Sequence, residues 1–406
     1  MEVRTVAAMD FTVDQERMVR IRRELHAHPE RGWELDKTAA LVCAELDDIG
    51  IPYEFEKYGH NTVVATIHPE ITSFTVGIRA DMDALPIEEE NRDKPYRSQN
   101  PGVMHACGHD AHTAMLLGAC RALWGMRDRL RCRVKFLFQP SEEARPSGAH
   151  VMCQNGVMRD IDCILMCHVN CGDATHVIST SPTVTNCSSV AFTVTLGGRA
   201  VHVATPHKGI DALAAGVKVY NGIQLLVSRE VDPFDTCVMS VTSLHAGTTV
   251  SANADTCVLQ GSLRCLKSDT MAWARARLEK LVCAVAGETG VTWKLEWNGE
   301  PLPPARNDPA MYRAFVSSAE KVVGAARVIH LETSPGAEDF AYYELEKPGL
   351  LFGLGMRNEA KGACHPAHTK DWDIDEDGLQ TGAATFVQFV LDHMDGIDGV
   401  PCAGQP

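Results

Sequence analysis

Apolar positions between Gln15 and Ile49 recur at helical spacing (Met18, Ile21, Leu25, then Leu41, Leu46, Ile49), with the polar turn His28-Pro29-Glu30-Arg31-Gly32 separating the two groups. The spacing predicts two helices joined by a loop. Beyond them the texture changes to short apolar runs that each end in ionisable residues. Thr75 to Arg79 precedes Asp81 and Asp83, Val134 to Phe138 precedes Glu142 and Glu143, and Ile164 to Cys167 precedes His168. A helix is expected from about Thr113 to Leu130 between the first two runs, and a shorter one near Ser147 to Gly156 between the last two. Strands alternating with helices imply an α/β fold with a mostly parallel central sheet flanked by helices. Such sheets place their sites beyond the carboxyl ends of strands, where all three polar clusters fall.

From about Asn186 the pattern becomes the strict alternation of Ser189 to Leu196, which predicts a half-buried strand. A Gly-Gly turn follows, then a helix from about Gly209 to Val227, two further strands of which the last spans Asp255 to Arg264, and a helix from Asp269 to Gly287. This order suits a small α+β domain inserted into the larger one. Pro301, Pro303 and Pro304 mark the returning linker. At 406 residues two domains are the natural expectation, here a first domain at 1–185 and 299–406 and an insertion at 186–298.

Composition narrows the function classes. The net charge is −15, from 53 acidic against 38 basic residues, and no run of Lys or Arg offers a track for phosphates, so nucleic acid is not expected as a partner. No apolar stretch reaches the ~18 residues that a membrane-spanning helix needs. The opening MEVRTVAAMDFTVDQER lacks both an adequate apolar segment and a small-residue cleavage site, so no signal peptide is expected. The 15 cysteines, irregularly spaced, suit reduced thiols and a cytoplasmic location better than a disulfide framework. Most are expected to be small buried hydrophobes.

The densest chemistry is His105-Ala106-Cys107-Gly108-His109-Asp110-Ala111-His112, with three histidines and a cysteine just before a helix. Thiolate and imidazole are natural ligands of borderline metals. A helix N-terminus also lowers a thiol pKa, so Cys107 as a nucleophile is a rival reading. Glu142 and Glu143 are adjacent acids at a strand end, ordinarily a solvated pair. Beside a metal, one can bind while the other handles protons. His168 ends an apolar run and His365 sits in Cys364-His365-Pro366-Ala367-His368. Either alone reads as structural, and the case rests on the convergence of such groups on one sheet edge.

Taken together, Leu25-His26-Ala27-His28-Pro29-Glu30, Arg79 to Pro86, His105 to His112, Pro140-Ser141-Glu142-Glu143, Gly336-Ala337-Glu338-Asp339-Phe340 and Cys364-His365-Pro366 resemble the M20 aminoacylase-type metallopeptidases. The resemblance is to their amidohydrolase subgroup of hippurate hydrolases, aminoacylases and auxin-conjugate hydrolases, and it spans nearly the whole chain. It implies a catalytic domain carrying an inserted lid and dimerisation domain, and two divalent ions held by Cys107, His109, Glu143, His168 and His365, with Cys107 bridging. Zinc, manganese, cobalt and nickel all suit such a set. Glu142 becomes the general base and acid for a metal-activated water, and Asp83 an outer carboxylate that orients a ligand. His112 and Glu338 are supporting residues without an assigned role.

In the insertion, His202-Val203-Ala204-Thr205-Pro206-His207 resembles the element whose first histidine polarises the substrate carbonyl, often across a homodimer interface. Gly197-Gly198-Arg199-Ala200-Val201 departs from the more glycine-rich run that precedes it in the family, which puts the local backbone geometry in question. Asn253 matches a polar lid position that contacts substrate, and Arg264 is a candidate for the substrate carboxylate or a surface strand residue. The implied reaction is hydrolysis of the amide bond of an N-acyl amino acid. A dipeptidase or carboxypeptidase on the same scaffold, a catalytically silent metal-binding dimer, and a cysteine hydrolase acting through Cys107 are the alternatives.

Overall fold

The apolar runs become the centre of one sheet. The computed structural model describes residues 10–91 and 93–402; residues 1–9 of the stretch read above for a signal peptide lie outside them. The larger of two compact units comprises residues up to Thr185, Arg306–Glu332 and residues from Asp339 onward. Its eight-stranded sheet contains β1 (Tyr53–Phe55), β2 (Val63–Ile67), β3 (Thr75–Asp81), β4 (Arg133–Gln139), β5 (Cys163–Ala174) and β6 (Ile178–Thr180), with strands Gly349–Arg357 and Val328–His330. The spatial order is β1, β2, β4, β3, β5, Gly349–Arg357, β6, Val328–His330. β3 runs parallel to both β4 and β5, and Gly349–Arg357 is parallel to β5; β1, β2 and β6 join by antiparallel pairing. Every residue of β3 and β4 is buried, as expected for strands covered on both faces.

The two N-terminal helices form as the periodicity predicts, as α1 (Gln15–Ala27) and α2 (Asp36–Ile49). Asp14 caps α1 by accepting from the Arg17 amide at 2.9 Å, and Gly50 closes α2 in the left-handed conformation. The next helix, α3 (His109–Gly125), starts four residues before the expected Thr113. Gly108, at φ +94°, turns the chain into the helix at His109. A Cβ there would stand 2.2 Å from Val169 Cγ2 of β5, so the absence of a side chain lets this loop lie against the strand. Buried on nearly all sides, α3 packs between α1 and helix Leu379–Asp392.

The smaller unit comprises Asn186–Ala305 with Thr333–Glu338. The return of the chain falls after Ala305 because Leu302 still pairs with Ser189. Its antiparallel sheet has the order Thr292–Trp297, Ser188–Gly197, Thr256–Cys265, Cys237–Ala246. Alternate residues of Ser188–Gly197 are buried, and Val190, Phe192, Val194 and Leu196 pack with Val219, Ile223, Leu278 and Val282 of helices Ala212–Glu230 and Ser268–Thr289. Asp211 caps the first of these helices through the Leu213 and Ala214 amides.

No helix among the described residues is long and apolar enough to cross a membrane. Within the larger unit, the fully buried Arg22 of α1 donates to Asp110 Oδ2 at 2.8 Å and to Asp373 Oδ1 at 2.9 Å. Burial acts to raise the Asp373 carboxyl, but Arg22, Lys94 and the Tyr96 hydroxyl outweigh it and hold Asp373 at about 2. A carboxyl depressed in the fold stabilises fully above its unfolded value, near 3.8, and loses that contribution as pH falls toward 2. Removing the cation takes from two buried carboxylates their shared guanidinium and leaves them only weaker partners, so Arg22→Met should cost about 3–5 kcal/mol in denaturant titrations at neutral pH. It should also move the acid-unfolding midpoint to higher pH; an unchanged midpoint and stability would contradict this reading of the network.

Candidate metal centre

β3 and β4 run parallel, and their carboxyl ends deliver the acids together. Asp83 lies two residues past β3, and its two oxygens accept from consecutive amides of the loop after β4, Glu142 at 3.0 Å and Glu143 at 3.1 Å. That grip fixes the loop where the chain also adopts φ +57° at Ser141. Asp83 Oδ1 lies 3.4 Å from His109 Nδ1, so the same carboxylate faces both the acidic loop and the first turn of α3.

Around this anchor the donor atoms fall into sets whose members all lie within 4.8 Å of one another: Cys107, His109 and His168; Cys107, Glu143 and His368; His109, Glu142 and Glu143. Cys107 belongs to the first two. Two cation positions sharing one sulfur are therefore compatible with the arrangement. Cys107 Sγ is 3.5 Å from His168 Nε2, and Glu143 Oε1 is 3.2 Å from His368 Nε2.

The electrostatics ask for positive charge. Burial and the neighbouring Glu143, Glu142 and Asp81 push the Cys107 thiol well above its ordinary value. This disfavours the reading of Cys107 as a self-activated nucleophile, because the thiolate forms only against that negative field. Burial opposes a charged His109, yet Asp81, Asp83 and Glu143 outweigh it and raise the imidazole to about 10. Burial and His112 lower His168 to about 4, which keeps it a neutral donor. Both ring nitrogens of His109 are buried without a hydrogen-bond partner, an arrangement that costs about 1–3 kcal/mol per group unless something else satisfies them. A thiol, imidazoles and carboxylates with orphaned buried nitrogens fit a borderline divalent cation.

The sequence-predicted set is corrected at one position. His365 joins none of these groups; its Nδ1 pairs with Asp371 at 3.1 Å. His368 is the histidine of this loop whose ring falls within a donor set. The His368 amide donates to the Ala106 carbonyl at 2.8 Å, which docks this loop beside Cys107, and the residue takes φ +65° there. Two histidines three residues apart in an irregular segment carry no periodicity that says which meets Cys107 and Glu143. Cys107, His109, Glu143 and His168 are brought together, with Asp83 behind them.

The remaining candidates lie in the smaller unit. His202 is exposed and its Nδ1 accepts from the Ala204 amide at 3.1 Å. Asn253 is committed at both ends of its amide: Oδ1 accepts from Val201, and Nδ2 donates to the Arg199 and Ile210 carbonyls. Arg264 donates to the Pro335 carbonyl at 2.8 Å.

Sequence reasoning passed over a buried ionic network behind the site. Arg79 Nη1 donates to Asp81 Oδ2 and Nη2 to Asp339 Oδ1, both at 2.7 Å, while Nε donates to Gln139 Oε1 at 2.8 Å. Asp339 also accepts from Gln139, Ser147 and the Ala149 amide, and its own amide donates to Glu142 Oε1 at 3.4 Å. Arg79 and Asp81, two apart on a strand, share a face, and charges inside an apolar strand are the signal that could have found them.

Residues 77–392 match the profile of peptidase family M20/M25/M40. The chain belongs to that family. As an M20 protein it is an enzyme, a metal-dependent amidohydrolase or peptidase. Thermostable carboxypeptidase 1 of Saccharolobus solfataricus is 33% identical over 370 residues, covering 90% of this chain and 92% of its own. The IAA-amino acid hydrolase ILR1-like 4 of Arabidopsis thaliana is 32% identical over 382 residues, covering 93% and 86% respectively. Among solved structures, a dinuclear metal-binding M20 peptidase of Bacillus subtilis superposes with a TM-score of 0.80 at 27% identity, covering 93% of this chain and 97% of its own.

The two histidines of the late loop separate in a simple experiment. His368→Ala should weaken divalent-cation binding by more than the about 100-fold that loss of a supporting partner costs, measured by equilibrium dialysis. His365→Ala should leave metal content and affinity as in the wild type. The reverse pattern would contradict the placement of this loop.

Proposed function

We propose that this enzyme hydrolyses the amide bond of N-acyl amino acids, in the manner of aminoacylases and hippurate hydrolases. The observation that carries the reading is the division of labour between two neighbouring acids. Glu143 shares a donor set with Cys107 and His368, whereas Glu142 shares none with Cys107; it lies within 4.8 Å of donor atoms of His109 and Glu143, and its Oε1 accepts from the Asp339 amide. A site that only stored metal has no physical need of an extra carboxylate there.

Cys107, His109, Glu143, His168 and His368 are the proposed ligands of two divalent cations. Bound there, such ions supply Lewis-acid polarisation of the carbonyl and acidify the attacking water. Zinc, manganese, cobalt and nickel all remain compatible with sulfur, nitrogen and oxygen donors. Glu142 accepts the proton that the water gives up as its oxygen adds to the amide carbon, and returns it to the nitrogen as the C–N bond breaks. His202 is the proposed partner of the developing oxyanion. Because its Nδ1 accepts from the Ala204 amide, the neutral ring carries its proton on Nε2 and presents a donor. Asn253 acts through the loop that it fastens, and Arg264 is retained as a candidate for the substrate carboxylate.

A homodimer through the inserted unit is part of the proposal. Strand Cys237–Ala246 is at the end of its sheet, and Val238 on it and Leu213, Val217 and Tyr220 on the adjacent helix expose apolar surface. The cytoplasm is the proposed location, in keeping with 15 unpaired cysteines. Dipeptidase or carboxypeptidase activity on the same scaffold is the second reading, favoured by the Saccharolobus solfataricus relative.

Glu142→Gln should retain bound metal while turnover of N-acetyl and N-benzoyl amino acids falls by about 10²–10⁴-fold. Full turnover in that variant would remove Glu142 from the mechanism. Faster cleavage of dipeptides with a free α-amine than of their acylated counterparts would favour the second reading.

A further inference from the structure

His112 is buried among the donor groups, and its atoms fall within the same 4.8 Å limit of Asp81 and His109, so by proximity alone it is a candidate ligand. Its hydrogen bonds say otherwise. The Val169 amide donates to His112 Nε2 at 2.9 Å, and an N–H can only donate, so that nitrogen carries a lone pair and no proton. The proton is on Nδ1, which donates to Asp81 Oδ1 at 2.6 Å. Both ring nitrogens are thus spent, and none is left for a cation.

The amide that His112 holds has a particular place. Pairing of β3 with β5 ends at Arg79 with Met166, so three residues on, the Val169 amide has no β3 partner, and the imidazole takes that role. The carbonyl of the same residue accepts from His168 Nδ1 at 2.8 Å, leaving the Nε2 lone pair of His168 3.5 Å from Cys107 Sγ. The His112 ring also stacks on His109, with centroids 5.4 Å apart, and meets His168 edge to face at 4.9 Å.

We propose that His112 is a positioning residue of the metal centre: through the chain Asp81, His112, Val169, His168 it fixes the tautomer and the aim of the His168 imidazole. This rests on the proposed use of His168 and Cys107 as ligands. His112 itself contacts no ion.

Two measurements test it. In metal-free protein with ¹⁵N-labelled histidine, both His112 and His168 should appear as neutral Nδ1–H tautomers. An Nε2–H tautomer at either would overturn the proposal, whether or not cations bind. Next, zinc and manganese affinities are compared for His112→Gln, whose amide can accept from Val169 and donate to Asp81, and His112→Phe, which keeps the ring but neither hydrogen bond. Gln should stay within a few-fold of wild type, and Phe should bind about 10–100-fold more weakly. Wild-type affinity in Phe, or loss of one bound equivalent in both variants, would overturn it; the latter would make His112 a ligand. If Phe does not fold, the tautomers and the Gln affinity decide. Wild-type protein that takes up neither metal would instead refute the metal-centre reading, leaving the tautomers to judge His112.

Discussion

Asp81, Asp83, Glu142 and Glu143, two of them almost wholly buried, converge at one end of one sheet, and the arrangement of the larger unit follows from the need to neutralise them. Carboxylates removed from water persist only when paired or hydrogen-bonded from several directions. Arg79 answers Asp81 from within the same strand, and His112 answers it from α3. Asp83 is answered by two backbone amides and faces His109. Around Cys107 and Glu143 only the imidazoles of His109 and His368 answer the negative charge, and a bound cation would take over that role.

Close packing and hydrogen bonding around the same loops account for local features that periodicity does not. Gly108 takes a positive φ so that the loop carrying Cys107 can lie against β5, and α3 begins at His109 for that reason. Beyond the last paired residues of β3, the edge of β5 would have an idle amide at Val169, which His112 takes. Asp339 collects donors from Arg79, Gln139, Ser147 and Ala149 and so connects the support of Asp81 to the backbone that meets Glu142. Polar groups satisfied this fully hold a site rigid, and rigidity is what a metal centre requires of its surroundings.

Much of this is legible in the chain itself. Apolar runs ending in acids and histidines declared the strand ends, and alternation from Ser189 declared the sheet of the smaller unit, because both signals are local and repeat with the period of the element. His368 was not legible in this way. It lies in a segment without regular structure, where its approach to Cys107 and Glu143 is set by one backbone bond to Ala106 and a left-handed residue, and both depend on the folded partner. The backbone partners of Asn253, and the bond from Arg264 Nη1 to the Pro335 carbonyl, were likewise not legible, because they are set by neighbours that only folding brings together.

The central claim is that Cys107 stands between two cations at the rim of the sheet. Anomalous diffraction from crystals loaded with zinc or manganese tests it most directly. Two peaks are expected flanking Cys107 Sγ, with His168 and His368 on different ions and Glu142 coordinating neither. A single peak, peaks reached by His365 or His112, or ions bound away from Cys107 would contradict it.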